Sequence, residues 1–185
     1  AYNHISEVDP ENKEAKKLIS ATLVKAKKFA EAVTAMEGYI ADKGEGVTYK
    51  EYDALADIYI DEADGAEQAA KVEAYKKADK VYATIAEKFD YAATYAVWKR
   101  ALMNHQINPD LKVGLALPYY KQYISLVEPK ADKSAAELNK LATAYTYLAV
   151  HYIQNDKKVE AKEYAGKLLE IKPEDPNGLQ IMSIK

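Results

Sequence analysis

The sequence predicts an all-α protein of about eight helices joined mostly by short loops. Ala, Lys, Glu and Leu are abundant, only seven glycines occur, and no run of alternating β-branched residues is bounded by turn signals. Turn-forming residues divide the chain into segments of ordinary helical length. These breaks are Asp9-Pro10, the GEG of residues 44–46, Asp64-Gly65, Asn108-Pro109-Asp110, Glu128-Pro129, Asn155-Asp156 and residues 173–178.

One proline lies inside an otherwise helical pattern. Pro118 occurs in GLALPYYKQYISLV, where it either opens a helix or kinks one. Because the apolar periodicity crosses Pro118, we expect a kinked helix that begins near Leu111.

Composition excludes several classes of function. The 26 basic and 29 acidic residues give a net charge of −3, so nucleic acid is not an expected partner. The chain has no cysteine, which excludes disulfides, thiolate nucleophiles and sulfur-ligated zinc. No window approaches the ~18 consecutive apolar residues of a membrane span, and we expect no membrane insertion of this chain.

An eight-residue pattern occurs twice. In YTYLAVHY, the first, fourth, fifth and eighth residues fall within one arc of about 100° on a helical wheel, as the apolar stripe of an amphipathic helix does. The small residue allows a neighbouring helix to approach, and the two aromatic rings fill the space on either side of it. The residues that share this spacing are Tyr52, Leu55, Ala56 and Tyr59, and again Tyr145, Leu148, Ala149 and Tyr152.

This YxxLAxxY pattern resembles the first-helix signature of the tetratricopeptide repeat. The second-helix signature of that family is matched in VEAKEYAGKLLEIKP, and less completely in three other places. The matching residues are Ala161, Ala165, Leu168 and Pro173; Ala78, Tyr82 and Ile85; Phe29, Ala32 and Met36; and Ala116, Tyr120 and Tyr123. The resemblance implies a right-handed α-α superhelix over residues 1–185, with repeats at 13–46, 49–92, 94–130 and 142–175.

The last ten residues, PNGLQIMSIK, resemble a shortened next first helix. This segment, 176–185, would cap the array by laying Leu179, Met182 and Ile181 over the last repeat. The WKRA segment and GLALPYYKQYI also look like tetratricopeptide proteins of Gram-negative bacterial cell envelopes. That resemblance implies a periplasmic or cell-envelope location, with the cytoplasm as the alternative.

Residues suited to catalysis or metal binding do not form a familiar motif. His4, His105 and His151 include no HExxH and no pair one helical turn apart, and we interpret them as structural. The acidic run from Asp53 to Asp64 lacks the spacing of an EF-hand loop. Nucleophile elbows and phosphate-binding loops are also missing. We therefore expect no enzyme activity, cofactor or metal. A hydrolase or lyase with a helical-repeat architecture is the third alternative, after a protein scaffold and a groove that binds a small molecule or glycan.

The face opposite the packing stripe is the candidate binding surface. On the helical wheel Tyr147 lies about 200° from Tyr145, and we place His151 at the edge of the stripe, facing away from the core. In tetratricopeptide arrays the corresponding faces of the first helices line a concave groove. Carrying this phase across the repeats predicts these groove residues: Lys50, Asp57, Asp61, Tyr95, Trp98, Lys99, His105, Thr143, Tyr147 and Gln154.

The resemblance implies a non-enzymatic scaffold that binds a peptide or partner protein in the groove. The alternative is a small molecule or glycan that stacks on Tyr95, Trp98 and Tyr147. A known variant of the family clamps the C-terminal carboxylate of chaperones with Lys and Asn at defined groove positions. This chain has Ala21, Ala54, Tyr95 and Lys99 there, so chaperone tails are disfavoured as partners.

Overall fold

The computed structural model describes residues 13–185, and all of their regular secondary structure is helical. This confirms the predicted all-α class. Nine α-helices occur between these residues. In chain order they are α1 (Lys13–Lys25), α2 (Phe29–Lys43), α3 (Tyr49–Ala63), α4 (Gln68–Lys88), α5 (Ala93–Ile107), α6 (Leu117–Val127), α7 (Ala135–Gln154), α8 (Lys158–Ile171) and α9 (Pro176–Ser183).

The chain divides into two compact units, with the boundary between Ala93 and Thr94. In the first unit α2 packs on both α1 and α3, and α3 packs on α4. In the second unit α7 packs on α6, α8 and α9, and α8 also packs on α9. The pairs α1–α2, α3–α4 and α7–α8 therefore form helix hairpins, as their short connections favour. The repeat boundaries stay a prediction.

Several helices begin at side-chain caps. Thr48 and Glu51 form a reciprocal capping box at the start of α3, and Ser134 and Glu137 form another at the start of α7. Each box satisfies backbone N–H groups that the first helical turn leaves without partners. At α9 the Asp175 carboxylate accepts hydrogen bonds from two backbone N–H groups. These signals are local in sequence and explain where the helices start.

Two helix hairpins share one turn geometry. After α1, Lys28 N–H donates to the Leu23 carbonyl and Lys27 adopts a left-handed φ of 58°. After α7, Lys157 N–H donates to the Tyr152 carbonyl and Asp156 has the same φ of 58°. Both turns are Schellman-type ends in which an L-residue occupies the position that usually holds glycine.

We expect Lys27→Gly to stabilise the protein by about 0.5–1 kcal/mol, because glycine adopts the left-handed conformation without the steric cost of a Cβ. Asp156→Gly should gain less, because Asp tolerates this conformation better than Lys. Urea unfolding followed by circular dichroism measures both effects. The control is Ala41→Gly inside α2, which should lose roughly 0.5–1 kcal/mol. An equal loss for Lys27→Gly would show that the turn is not left-handed at that residue.

The expected kink at Pro118 is wrong. Helix α6 begins at Leu117, and Pro118 lies in its first turn, where its missing N–H leaves no hydrogen bond unmade. The preceding segment forms a loop instead of a helix. Asp110 Oδ1 accepts the Lys112 N–H at 2.8 Å, and Gly114 has a left-handed φ of 69°. These local bonds and the glycine conformation interrupt the apolar periodicity that the sequence carries across this region.

Helix α9 packs differently from the expectation. Ile181 is buried, whereas Leu179 and Met182 are about half exposed, at 52% and 44%. Gly178 permits the close approach, because a Cβ there would lie 2.8 Å from Leu169 Cδ2. The expected covering by Leu179 and Met182 is therefore wrong, and Ile181 makes the contact. In the part of the chain described, no helix combines the length and apolar character needed to span a bilayer.

Candidate functional site

The first unit contains a cavity of about 290 Å³ lined by α1, α2 and α3. Its deepest lining residues are Ser20, Met36 and Ile58, each no more than 5% exposed. The remaining lining residues are small, apolar or charged, and they belong to α1 and α3. They are Lys17, Ala21, Val24 and Lys25 of α1, and Ala54, Asp57 and Asp61 of α3.

Helical spacing explains why these side chains meet at one place. On α1 the lining positions include 17, 20, 21 and 24, and on α3 they are 54, 57, 58 and 61. Residues three or four apart lie on one face of an α-helix. Ala21 and Ala54 each end at Cβ, which leaves the space between the faces unfilled. The cavity therefore follows from two helical faces that carry small residues between longer ones.

The floor of the cavity presents mainly apolar atoms. Ser20 is its buried polar side chain, and its Oγ donates a 2.8 Å hydrogen bond to the Ala32 carbonyl oxygen. This bond satisfies the hydroxyl within the protein. Met36, Ile58 and Val24 contribute the surrounding hydrocarbon surface. A ligand would thus meet an apolar floor.

The edges of the cavity carry opposite charges. Lys17 and Lys25 on α1 form a basic edge, and Asp57 and Asp61 on α3 form an acidic edge. All four side chains are exposed to solvent. Lys17 Nζ also lies 5.7 Å from the centroid of the Tyr39 ring, a cation–π contact that positions its stem. The cavity therefore has an apolar base and an opening with positive charge on one side and negative charge on the other.

A partly buried ion pair anchors the start of α3. Lys43 Nζ lies 2.5 Å from Glu51 Oε1, and the Thr48 backbone N–H and hydroxyl donate to Glu51 Oε2 at 2.8 and 2.7 Å. Burial alone would raise the pKa of the Glu51 carboxyl, but the hydrogen bonds from Lys43 and Thr48 outweigh it and lower the pKa to about 2. Glu51 therefore stays ionised and ties the end of α2 to the first turn of α3.

The structure brings two of the ten predicted groove residues into this cavity, Asp57 and Asp61. Lys50 is exposed in the first turn of α3 but is not part of the lining. The sequence did not indicate the contribution of α1, because the first-helix signature of α1 is poor. The turn after α1 could have indicated it. That turn has the same hydrogen bond as the turn after α7, so Leu23 occupies the position of Tyr152, and Ser20 occupies the position of Ala149.

In the second unit the expectation that Tyr147 faces away from the packing surface is wrong. Its side chain is only 6% exposed. Its ring centroid lies 4.6 Å from that of Tyr120 on α6 and 5.6 Å from that of His105 on α5. A helical wheel separates faces but does not count neighbouring helices, and α7 is packed on more than one side. Tyr147 is therefore a core residue.

His151 is also buried, contrary to expectation. It is 9% exposed, and its Nδ1 lies 2.7 Å from the Leu111 carbonyl oxygen. Asn155, one turn further along α7, donates from Nδ2 to the Lys112 carbonyl at 3.1 Å. Gly114 packs against the imidazole so closely that a Cβ there would lie 2.5 Å from His151 Nδ1. The histidine thus holds the loop before α6 against α7.

The remaining predicted residues do not meet in a described cavity. Trp98 is partly buried, with its ring centroid 5.0 Å from that of Tyr123 and 5.8 Å from that of Tyr120. Lys99 Nζ lies 5.5 Å from the centroid of the Tyr95 ring. Thr143 and Gln154 are exposed, and His105 Nδ1 is buried without a hydrogen-bond partner. His4 lies outside the described residues.

Between residues 13 and 185, no three His, Asp or Glu side chains are grouped closely enough to hold a metal ion. Among the described lining residues the buried hydroxyl is that of Ser20, which donates to a backbone carbonyl. The apolar floor and the charged edges of the cavity are suited to binding by shape and charge.

A solved structure has a similar fold. It is the C-terminal part of a TPR (tetratricopeptide) repeat-containing protein from Cytophaga hutchinsonii, with a TM-score of 0.72 and 23% sequence identity. The match covers 99% of this chain and 65% of that chain. No family model matches the sequence, and no curated protein matches it. At this level of identity the likeness concerns the fold alone, and it shows that this chain has a tetratricopeptide-like helical fold.

Proposed function

We propose that this chain is a non-enzymatic scaffold that binds an extended peptide segment of a partner protein at the cavity of the first unit. The observation that carries the proposal is the cavity itself, with an apolar floor between a basic and an acidic edge. Such a combination suits a ligand that has an apolar portion and charges on both sides. The tetratricopeptide-like fold supports an interaction role in general.

A glycan that stacks on aromatic side chains is less well supported. Stacking needs an aromatic face open to solvent. Tyr147 is buried, and the Trp98 ring packs on Tyr120 and Tyr123 while Lys140 Nζ lies 5.4 Å from its centroid. Two of the three proposed stacking residues are thus engaged within the protein.

Filling the cavity should abolish peptide binding. Ala21 is an exposed lining residue, so Ala21→Trp places a large ring in the cavity without disturbing the core. Peptides selected from a random display library on the unmodified protein should bind this variant at least about tenfold more weakly, as measured by fluorescence anisotropy. The loss comes from steric exclusion at the apolar floor.

The matched control is Thr22→Trp, on the same helix at an exposed position outside the cavity. It adds the same ring and should leave the affinity unchanged. Selected peptides that bind Ala21→Trp as tightly as the unmodified protein would contradict the proposed site. Failure to select any peptide that distinguishes the two variants would contradict it as well.

A further inference from the structure

The size and charges of the cavity also indicate which side chain a partner would place in it. We propose that the cavity binds an arginine side chain of the peptide, with an acidic residue of the same peptide at the basic edge. This inference rests on the proposed function and specifies its ligand. It is carried by the volume, the apolar floor and the polarity of the two edges.

The volume of the cavity is sufficient for one large side chain. Pockets that bind drug-sized ligands or cofactors usually measure about 300–1,000 Å³. At about 290 Å³ this cavity lies just below that range. A long side chain fits in this space, and the rest of the ligand would extend beyond the open mouth. A single anchoring residue of a larger ligand is therefore a suitable occupant.

The acidic edge favours arginine over lysine. Asp57 and Asp61 are one helical turn apart on α3, which places their Cβ atoms about 6 Å from each other. A guanidinium group is planar and presents five N–H donors in a fork that matches carboxylates. A lysine ammonium is a compact, strongly hydrated point charge that cannot make the same bidentate contact. Two neighbouring carboxylates thus suit a guanidinium best.

The floor suits the stem of the same residue. An arginine side chain buries its methylene groups against apolar surface while its charged end stays near water. Ala54 and Ile58, on the same helix as the two aspartates, supply that surface next to the acidic edge. The methylene stem of an arginine would therefore lie on the apolar floor, and its guanidinium group would reach the acidic edge.

The basic edge adds a second requirement. Lys17 and Lys25 are exposed on α1, on the other side of the cavity from the two aspartates. Charges at the rim of an interface contribute little affinity singly, but they speed association and fix the orientation of the ligand. An acidic residue near the arginine would satisfy this edge, and a peptide with a second basic residue there would be repelled.

The test uses four libraries of N-acetylated, C-amidated nonapeptides that differ only in the central residue, which is arginine, lysine, citrulline or glutamate. All other positions are randomised. Citrulline keeps the shape of arginine and removes its charge. We expect the arginine library to yield the tightest peptides, with dissociation constants about tenfold lower than those from the other three. We also expect acidic residues to be enriched beside the arginine.

The variant that checks the acidic edge is Asp57→Asn/Asp61→Asn, which should remove the advantage of arginine over citrulline. Its control is Glu67→Gln/Glu87→Gln, which changes the net charge equally at exposed positions outside the cavity. The control should keep the full advantage. Circular dichroism of both variants verifies that the helices remain folded.

The outcomes separate the inference from the proposed function. Peptides that lose affinity with Ala21→Trp but show no preference for arginine would overturn the inference and leave the scaffold function standing. No cavity-dependent binding in any library would overturn both. Free L-arginine that binds as tightly as the best peptides would show that the ligand is an amino acid, which contradicts the peptide part of the proposal.

Discussion

We expect Glu51→Gln to lower the free energy of unfolding by about 1–2 kcal/mol at pH 7, because it removes the charged partner of an ion pair in which Glu51 is buried and Lys43 is 29% exposed. Glu51 is 7% exposed and accepts hydrogen bonds from Lys43 and Thr48. The amide that replaces the carboxylate is uncharged, so it can accept a hydrogen bond from Lys43 but cannot form the ion pair. Urea unfolding followed by circular dichroism gives the free energy of each variant.

The effect of Glu51→Gln depends on pH in a defined direction. The folded-state pKa of Glu51, about 2, lies below its ordinary value of 4.5, so the folded state favours the ionised form. Its stabilisation is fully present above about pH 4.5 and is lost as the pH falls toward 2. The difference between the two proteins should therefore shrink between pH 5 and about pH 2.

The control for this prediction is Glu67→Gln. Glu67 is exposed, and its side chain makes no capping hydrogen bond at the start of α4. Its replacement should change stability by less than about 0.5 kcal/mol at any pH. A Glu51→Gln protein as stable as this control at pH 7 would show that the ion pair does not hold α3.

Gly114→Ala should cost about 2–4 kcal/mol, for two separate reasons. The φ of 69° is strained for alanine, and the added Cβ would lie 2.5 Å from His151 Nδ1. To relieve the contact the imidazole must move away from the Leu111 carbonyl that it now meets at 2.7 Å. Urea unfolding measures the total cost.

A double-mutant cycle with His151→Ala separates the two reasons. Without the imidazole, Gly114→Ala should cost only about 1 kcal/mol, the conformational part. Gly65→Ala gives an independent measure of that part, because Gly65 has a φ of 75° and a Cβ there would meet no atom within 4 Å. Equal costs for Gly114→Ala with and without His151 would rule out the close contact.

The sequence predicted what depends on local spacing. Leu148, Ala149 and Ala56 are fully buried, as the YxxLAxxY pattern indicates, and Tyr145 and Tyr152 are at most 7% exposed. This burial follows from the helical period, which is visible in any single segment. The same period puts Asp57 and Asp61 on one helical face, and both line the cavity, while their role in binding stays a prediction.

The sequence could not show which helices surround a given face. Tyr147 lies on the opposite side of α7 from Tyr145, yet His105 and Tyr120 cover it. His151 is buried because a loop, and not a helix, packs against it. Loop placement depends on Gly114 and on hydrogen bonds between distant residues, none of which leaves a periodic signal. The contribution of Lys17 and Lys25 to the cavity was hidden for a related reason, since α1 lacks the aromatic signature.

The location of the single tryptophan affects how ligand binding can be observed. Trp98 belongs to the second unit, and none of the cavity-lining residues between 13 and 185 is aromatic. Tryptophan emission responds to changes in the surroundings of its own ring, which here are Tyr120, Tyr123 and Lys140. A peptide that contacts only these lining residues would therefore leave the surroundings of the tryptophan ring unaltered, and titrations with such a peptide need a probe on the peptide itself.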